Sequence, residues 1–341
     1  MTSDTATSDT VTGALLRVDR LSVALPTRSG YHKAVDDVSF AVDAGEVLGI
    51  AGESGSGKTI TALSLFGLLP HGARVTGSIR LDGTELTELT TKQLRAIRGR
   101  QIAMVSQDPA TALHPIVPIG TQLTEHMRHH LGVSKAEARS RAADLLQTVR
   151  IPDPERALRS YAGQFSGGMR QRIAIAVALA AEPRVLVADE PTTALDVTVQ
   201  AGILRLLDRL CRERGLAVIV ITHDLGVMSA TARRLCVMYA GRLAEAGPTS
   251  ELLARPRHPY TRGLLDALPH PEATGAPLVP IGGSPPSLGR VPDGCPFHPR
   301  CRYAQPSCAT NRPEPEPIAP GHLLACPPDP LRAAVSERET P

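Results

Sequence analysis

The chain has 341 residues, of which 42% are hydrophobic and 21% charged, with a formal net charge of +3. That length accommodates roughly two domains and a sizeable core, and the apolar and charged fractions are those of an ordinary soluble protein. The charge is spread without a long basic block and Trp is absent, which argues against nucleic acid as the main partner; the longest apolar run, Ile173 to Ala181, is about half of what a membrane-spanning helix needs, so any membrane association is expected to be peripheral.

In chain order, Met1 to Thr12 is polar and Thr/Ser-rich with no apolar segment of the secretory kind, and is expected to be a disordered tail. From Leu15 to Val42 apolar and polar residues alternate loosely, the pattern of antiparallel strands. Tyr31 falls in the link between them, either as an aromatic that stacks on adenine or as a half-exposed turn residue.

Val47-Leu48-Gly49-Ile50-Ala51 reads as a short buried strand, and Ile60 to Leu69 carries apolar residues at helical spacing. Between them Gly52-Glu53-Ser54-Gly55-Ser56-Gly57-Lys58-Thr59 fits G-x-x-x-x-G-K-[ST]. The glycines let successive backbone N–H groups turn inward toward phosphate oxygens, where a Cβ would obstruct. Lys58 supplies a point charge toward the β- and γ-phosphates, Thr59 offers a hydroxyl to Mg²⁺, and the helix that follows presents its positive end to the anion. The stretch is a nucleotide phosphate cradle.

Gly77 to Gly83 reads as another short strand ending in a turn, and Ile102 to Ser106 as a buried strand ending at Gln107. Between Asp108 and Ala162 the pattern turns helical, which implies an inserted, mostly helical subdomain. Phe165-Ser166-Gly167-Gly168-Met169-Arg170-Gln171-Arg172 then opens an Ala-rich helix running through Ala180. Ser166 is placed as an N-cap, and the two glycines permit a phosphate to approach the helix start closely. Val185-Leu186-Val187-Ala188 delivers Asp189 and Glu190 at the end of an apolar strand. An alternating backbone points the two carboxylates in different directions, one toward the metal's water shell and one toward the attacking water. After Pro191 come Ala194-Leu195-Asp196, a helix, and Ala217 to Thr222 as a last core strand with His223 at its tip.

Cys295, Cys301, Cys308 and Cys326 have five, six and seventeen residues between them in a Pro-rich tail. Outside an oxidising compartment such clustering favours metal over disulfide. The spacing lacks the C-x-x-C knuckle of zinc ribbons, while four thiolates in a loop also suit an iron–sulfur cluster; zinc, iron–sulfur and unmetallated thiols all stay open on spacing alone. Cys236 reads as a core thiol. His126, His129 and His130 recur at i, i+3, i+4 and read as a solvated helix face.

These residues together resemble the ATP-binding cassette subunits of transporters: phosphate loop (Gly52 to Thr59), Gln107, signature (Ser166 to Gln171), Asp189 with Glu190, Ala194-Leu195-Asp196 and His223 stand in that family's order and spacing. Within the family the chain resembles the oligopeptide/dipeptide importer ATPases, through Val105-Ser106-Gln107-Asp108-Pro109, Phe165 to Arg172, His258-Pro259-Tyr260-Thr261, Leu264-Leu265, Ala267-Leu268-Pro269, Gly294-Cys295-Pro296-Phe297 and Arg300-Cys301. Two departures stand beside the helical insert: His114 where that branch usually carries Asn, and Ala162-Gly163 in place of Pro-His.

The resemblance implies an α/β fold with a RecA-like P-loop ATPase core, an antiparallel β subdomain, an inserted helical subdomain and a Pro/Cys-rich C-terminal extension. It divides the chain into a tail (1–13), a nucleotide-binding domain (14–250, helical subdomain about 108–170) and the extension (251–341). It implies ATP and Mg²⁺ as ligands, with Thr59, Asp189 and Gln107 near the metal, Glu190 as general base and His223 on the γ-phosphate. Ser166, Gly167, Gly168, Gln171 and Asp196 would complete the site of a second cassette across a head-to-tail dimer. Some dipeptide importer ATPases with a similar tail carry a [4Fe-4S] centre, which implies one on the four tail cysteines. The implied partners are a second ATPase, as a paralogue, two permease subunits at the cytoplasmic face of the membrane and, indirectly, a solute-binding protein. Importers of nickel or other small solutes use similar ATPases, and a soluble cassette acting on DNA or ribosomes is the reading from another class.

Overall fold

The structure is a computed structural model that describes residues 13–193, 195–268 and 279–332, with the side chains at 109 and 110 also outside the description. The tail Met1 to Thr12, Ala194 of the Ala194-Leu195-Asp196 motif and Pro269 therefore lie outside the described residues.

In chain order the strands are β1 (Leu16–Thr27), β2 (Gly30–Val42), β3 (Val47–Ala51), β4 (Arg74–Leu81), β5 (Thr84–Glu85), β6 (Ile102–Val105), β7 (Val185–Asp189), β8 (Ala217–Thr222), β9 (Arg234–Tyr239), β10 (Arg242–Pro248), β11 (Glu316–Ala319) and β12 (His322–Leu324). The helices are α1 (Lys58–Leu65), α2 (Thr91–Ile97), α3 (Pro109–Ala112), α4 (Ile119–Leu131), α5 (Lys135–Thr148), α6 (Pro154–Arg159), α7 (Gly167–Leu179), α8 (Val197–Arg214), α9 (Leu225–Ser229), α10 (Thr249–Ala254) and α11 (Pro259–Asp266).

A four-stranded antiparallel sheet runs β2-β1-β4-β5, and a second sheet runs β11-β12-β10-β9-β3-β8-β7-β6. In the second sheet β9, β3, β8, β7 and β6 are parallel, and β10, β12 and β11 extend it antiparallel. Its central strands are buried on both faces, the continuous apolar pattern expected of a covered parallel sheet. Alternation along each strand sorts the side chains. Leu48, Ile50, Val185, Val187, Ile219 and Ile221 share one core with the antiparallel sheet, while Val47, Ala51, Leu186, Ala188, Val218 and Val220 share the other with the helices.

The helical insert follows from local chemistry. Ile119, Leu123 and Met127 recur four apart on α4 and are its buried residues. Ser134 caps α5 by accepting from Glu137 N at 3.2 Å, and Asp153 caps α6 ahead of Pro154 at its first turn. On α7 five apolar residues, Ile173, Ala174, Ile175, Ala176 and Leu179, are buried on several faces, as in a helix held inside the core.

Two expectations change. Ala217 to Thr222 is not the last strand of the core: β9 and β10 follow it, and β8 lies between β3 and β7 near the middle of the sheet. Tyr31 belongs to β2, paired with Pro26, rather than to the link. The Pro-rich extension returns to the cassette, where Glu245 of β10 pairs with Leu324 and Ala246 with Leu323 of β12, so the tail continues the central sheet.

The register positions the site. Ala51 pairs with Thr222 and Asp189 with Ile221, so β3, β8 and β7 end at nearly one level. Gly52, Glu190 and His223 leave the sheet side by side at its carboxyl edge, where open α/β sheets bind ligands.

Candidate functional site

The phosphate loop is built by close approach. Gly52 has φ 151°, and a Cβ there would meet the Met238 carbonyl oxygen at 2.2 Å; Gly57 has φ 101°, and a Cβ there would meet the Ala34 carbonyl oxygen at 2.7 Å. Both neighbours are backbone and cannot swing away, so only glycine fits. Lys58 is buried, and its ammonium donates to Gly52 O at 2.7 Å, Glu53 O at 2.9 Å and Ser56 Oγ at 3.4 Å. Burial lowers its pKa, opposed by the charges of Glu190, Asp189 and Glu53.

Asp189 is buried at the end of β7, and burial raises its pKa, helped by the charge of Glu190 and opposed by a hydrogen bond from Thr59 and the charge of Lys58. The carboxylate and hydroxyl thus meet as an oxygen-only pair, the donor chemistry a hard divalent cation takes; Thr59 and Asp189 fit Mg²⁺.

Glu190 turns out of the sheet at φ 47°, with its N–H donating to Ile221 O at 2.8 Å. Three side chains converge on its carboxylate. Gln107 Nε2 donates to Oε2 at 3.0 Å, Thr193 Oγ1 donates to Oε2 at 2.9 Å, and His223 Nδ1 lies 3.3 Å from Oε1. Gln107, expected near the metal, is held by this bond to Glu190 on the cavity that Thr59 also lines. Thr193 was not anticipated, and its only sequence signal is its place three residues after Glu190, one short turn away.

Lys58, Thr59, Glu53 to Gly57, Gln107, Glu190, Thr193 and His223 border one cavity of about 870 Å³, within the range of small-molecule sites. Tyr31 is not among its lining residues; the ring is 45% exposed, with the Arg74 guanidinium 3.7 Å from its centroid.

The signature residues stand elsewhere. Ser166 is exposed and caps α7, accepting from Met169 N at 3.3 Å, and neither it nor Gly167 nor Gly168 lines the cavity. Asp196 is exposed and caps α8 by accepting from Val199 N at 2.9 Å; Val197 beside it is 80% exposed. Gln171 is 1% exposed in the first turns of α7.

The C-terminal extension reaches the site, which the sequence pattern did not indicate. Tyr260 Oη accepts from Glu53 N at 2.7 Å, and Arg300 grips the Glu53 carboxylate through two hydrogen bonds of 2.6 and 3.0 Å. The four tail thiols lie near enough for Cys326 to feel the charge of Cys295, Cys301 and Cys308. Burial raises the pKa of Cys295 and Cys301 and pushes Cys326 up to about 12. Among the described residues no three His, Cys, Asp or Glu side chains are placed to hold a metal, so the iron–sulfur and zinc expectations gain no support: burial favours neutral thiols, and the Cys308 sulfur accepts from Gln305 N at 3.5 Å. His126 and His129 are exposed.

Comparison with known proteins places these features in context. A family described as ABC transporter matches residues 35–193, and one described as oligopeptide/dipeptide transporter, C-terminal region, matches residues 244–308. The chain is 47% identical to the oligopeptide transport ATP-binding protein OppD of Salmonella typhimurium, over 95% of this chain and 97% of that one. It is 46% identical to the dipeptide transport ATP-binding protein DppD of Bacillus subtilis, over 92% and 94%. The dimeric structure of MJ0796, a bacterial ABC transporter cassette, superposes with a TM-score of 0.62 at 27% identity, covering 69% of this chain and 98% of that one. The same cassette in a post-hydrolysis state bound to ADP and Pi gives the same values.

Proposed function

The chain belongs to the ATP-binding cassette family, in its oligopeptide/dipeptide transport branch, and from that premise we propose that it is the ATP-hydrolysing subunit that energises a membrane importer of peptides. The observation that carries the reading is the convergence of Gln107, Thr193 and His223 on Glu190 at the rim of the cavity that the phosphate loop opens into.

Phosphoryl transfer to water asks a protein for position and charge. The loop N–H groups and Lys58 hold the triphosphate. Thr59 and Asp189 would hold Mg²⁺, which neutralises charge on the β- and γ-oxygens. Glu190 accepts the proton of the attacking water, and Gln107, Thr193 and His223 fix the direction of its carboxylate. Ser166, Gly167 and Gly168 serve the site of a second cassette; their place away from this chain's own cavity and the exposure of Ser166 support that role, as does exposed Val197 beside Asp196. Nucleotide then bridges two subunits, and hydrolysis releases them.

The second cassette is proposed to be a paralogue. The permease is proposed to seat on the helical insert at the cytoplasmic face, with this chain peripheral. On the insert Ile116 is 78% and Tyr161 44% exposed, and a hydrogen bond from Ile119 N to Ser160 O joins the segments that carry them. No helix among the described residues is long and apolar enough to cross a membrane. An iron–sulfur centre on the tail cysteines is a separate proposal, resting on four neighbouring thiols alone and tested by iron and acid-labile sulfide analysis after anaerobic purification.

The test is reconstitution with the permease in proteoliposomes that contain a peptide-binding protein. Peptide uptake should require ATP on this chain's side and raise phosphate release. Uptake of nickel or another small solute with no response to peptides would replace the cargo assignment. Copurification of nucleic acid in place of a permease would favour a soluble cassette.

A further inference from the structure

Gln107, Thr193 and His223 each bond to Glu190, which gathers the catalytic side chains at one place on the cavity lining. With the phosphates on the loop and the reacting end fixed by Glu190, the base and ribose point the other way. Beyond the phosphate loop the cavity is lined by Leu25, Lys33 and Ala34 of the β1–β2 hairpin and by Pro285, Pro286, Leu288 and Val291 of the C-terminal extension. Tyr31 is not part of it.

The extension's contribution is built into place. Gly289, at φ +81°, approaches the ring of His32 so closely that a Cβ would lie 3.1 Å from it, so the segment touches the hairpin across the cavity. Its root is tied to the phosphate loop by one guanidinium. Arg300, with a side chain 5% exposed, donates Nε to Gly282 O at 2.8 Å and holds both oxygens of the Glu53 carboxylate. The tail and the loop that cradles phosphate are therefore fixed by the same buried charge pair, a geometry that Lys cannot reproduce with two parallel bonds.

We propose that the segment 285–291 is the second wall of the base-and-ribose subsite, held in register with the phosphate loop by Arg300 as a positioning residue. The proposal rests on the nucleotide reading above and assigns the extension a direct part in binding a nucleoside triphosphate. The side chains this segment turns to the cavity, Pro285, Pro286, Leu288 and Val291, offer the base no hydrogen bonds, so the wall grips by apolar contact and discriminates little between adenine and guanine. Leu288, 42% exposed on its own, is covered when a nucleoside lies against it.

The test is equilibrium binding of ATP, GTP and inorganic tripolyphosphate to the full chain. Leu288→Ser with Val291→Ser removes apolar surface from partly exposed positions and leaves the core intact. The double variant should bind ATP and GTP about tenfold more weakly and tripolyphosphate within about twofold of the unaltered chain. Arg300→Gln should weaken all three, and Arg300→Lys should recover part of the tripolyphosphate affinity but less of the ATP affinity. Equal losses for ATP and tripolyphosphate in the double variant, or no loss of either while the unaltered chain binds ATP, would overturn the wall. Failure of the unaltered chain to bind ATP would overturn the nucleotide reading itself.

Discussion

His223 Nδ1 lies 3.3 Å from Glu190 Oε1, and the two residues leave the carboxyl ends of adjacent parallel strands, β8 and β7. The pairing depends on Glu190 holding φ 47°, a left-handed conformation that costs a non-glycine residue roughly 1–2 kcal/mol. Within the site that conformation swings the carboxylate from the strand direction toward His223, Gln107 and Thr193.

Glu190→Gln keeps the shape and the acceptor for Thr193 but removes the base. Phosphate release should fall by a factor of roughly 10² to 10⁴ while ATP affinity stays near its original value. Near-normal turnover by the assembled transporter would show that another group takes the proton.

Ser166 both caps α7 and, in the proposed dimer, touches the partner's nucleotide. The roles separate by substitution. Ser166→Asn retains an N-cap acceptor and should leave the melting temperature nearly unchanged, whereas Ser166→Ala should lose about 1 kcal/mol of stability. Both should lose ATP turnover if the hydroxyl acts across subunits. Full turnover by the Asn variant would confine Ser166 to capping.

Gly52→Ala sets a methyl group 2.2 Å from a backbone oxygen in a conformation alanine disfavours. A loss of about 1–3 kcal/mol is expected from crowding, together with weakened triphosphate binding as the loop shifts. A variant that melts and binds ATP like the parent would mean that the loop is looser than its contacts with Met238 imply.

The extension makes stability acid-sensitive. His258 is buried, and its imidazole is pushed down to about 4 by desolvation, opposed by the charge of Glu245. Below about pH 6.5 the unfolded chain takes up a proton that the folded chain refuses until about pH 4, so stability falls as pH drops through that window. The total is on the order of 2–3 kcal/mol. Glu245 adds to the slope at its lower end: burial would raise its pKa, but hydrogen bonds with His322 and from the Arg257 and His258 N–H groups outweigh burial and lower it. Its contribution is present above the usual glutamate range and is lost as pH falls through the lowered value. His258→Asn keeps an acceptor for Tyr260 N, now bonded to Nδ1 at 3.0 Å, and should flatten melting temperature between pH 7 and 5. An unchanged slope would assign the acid sensitivity elsewhere.

Much of the site was legible because its parts are local. The turn Gly52 to Gly57, the cap at Ser166 and the carboxylates closing β7 each follow from contiguous residues whose spacing is set by backbone geometry. Strand order was not legible, since β8 and β9 have similar apolar patterns and only side-by-side packing decides that β3 divides them.

What the sequence by itself determined is the chemistry at the carboxyl edge of the sheet, because phosphate cradles, caps and strand-end acids are written within a few residues. Folding alone decided who stands around that chemistry. Arg300 reaches Glu53 across 247 residues of chain, and Leu288 of the extension comes to line the same cavity as Leu25. Such contacts form because the tail adds to the edge of the central sheet, β12 pairing with β10, a pairing of distant segments that no local spacing encodes.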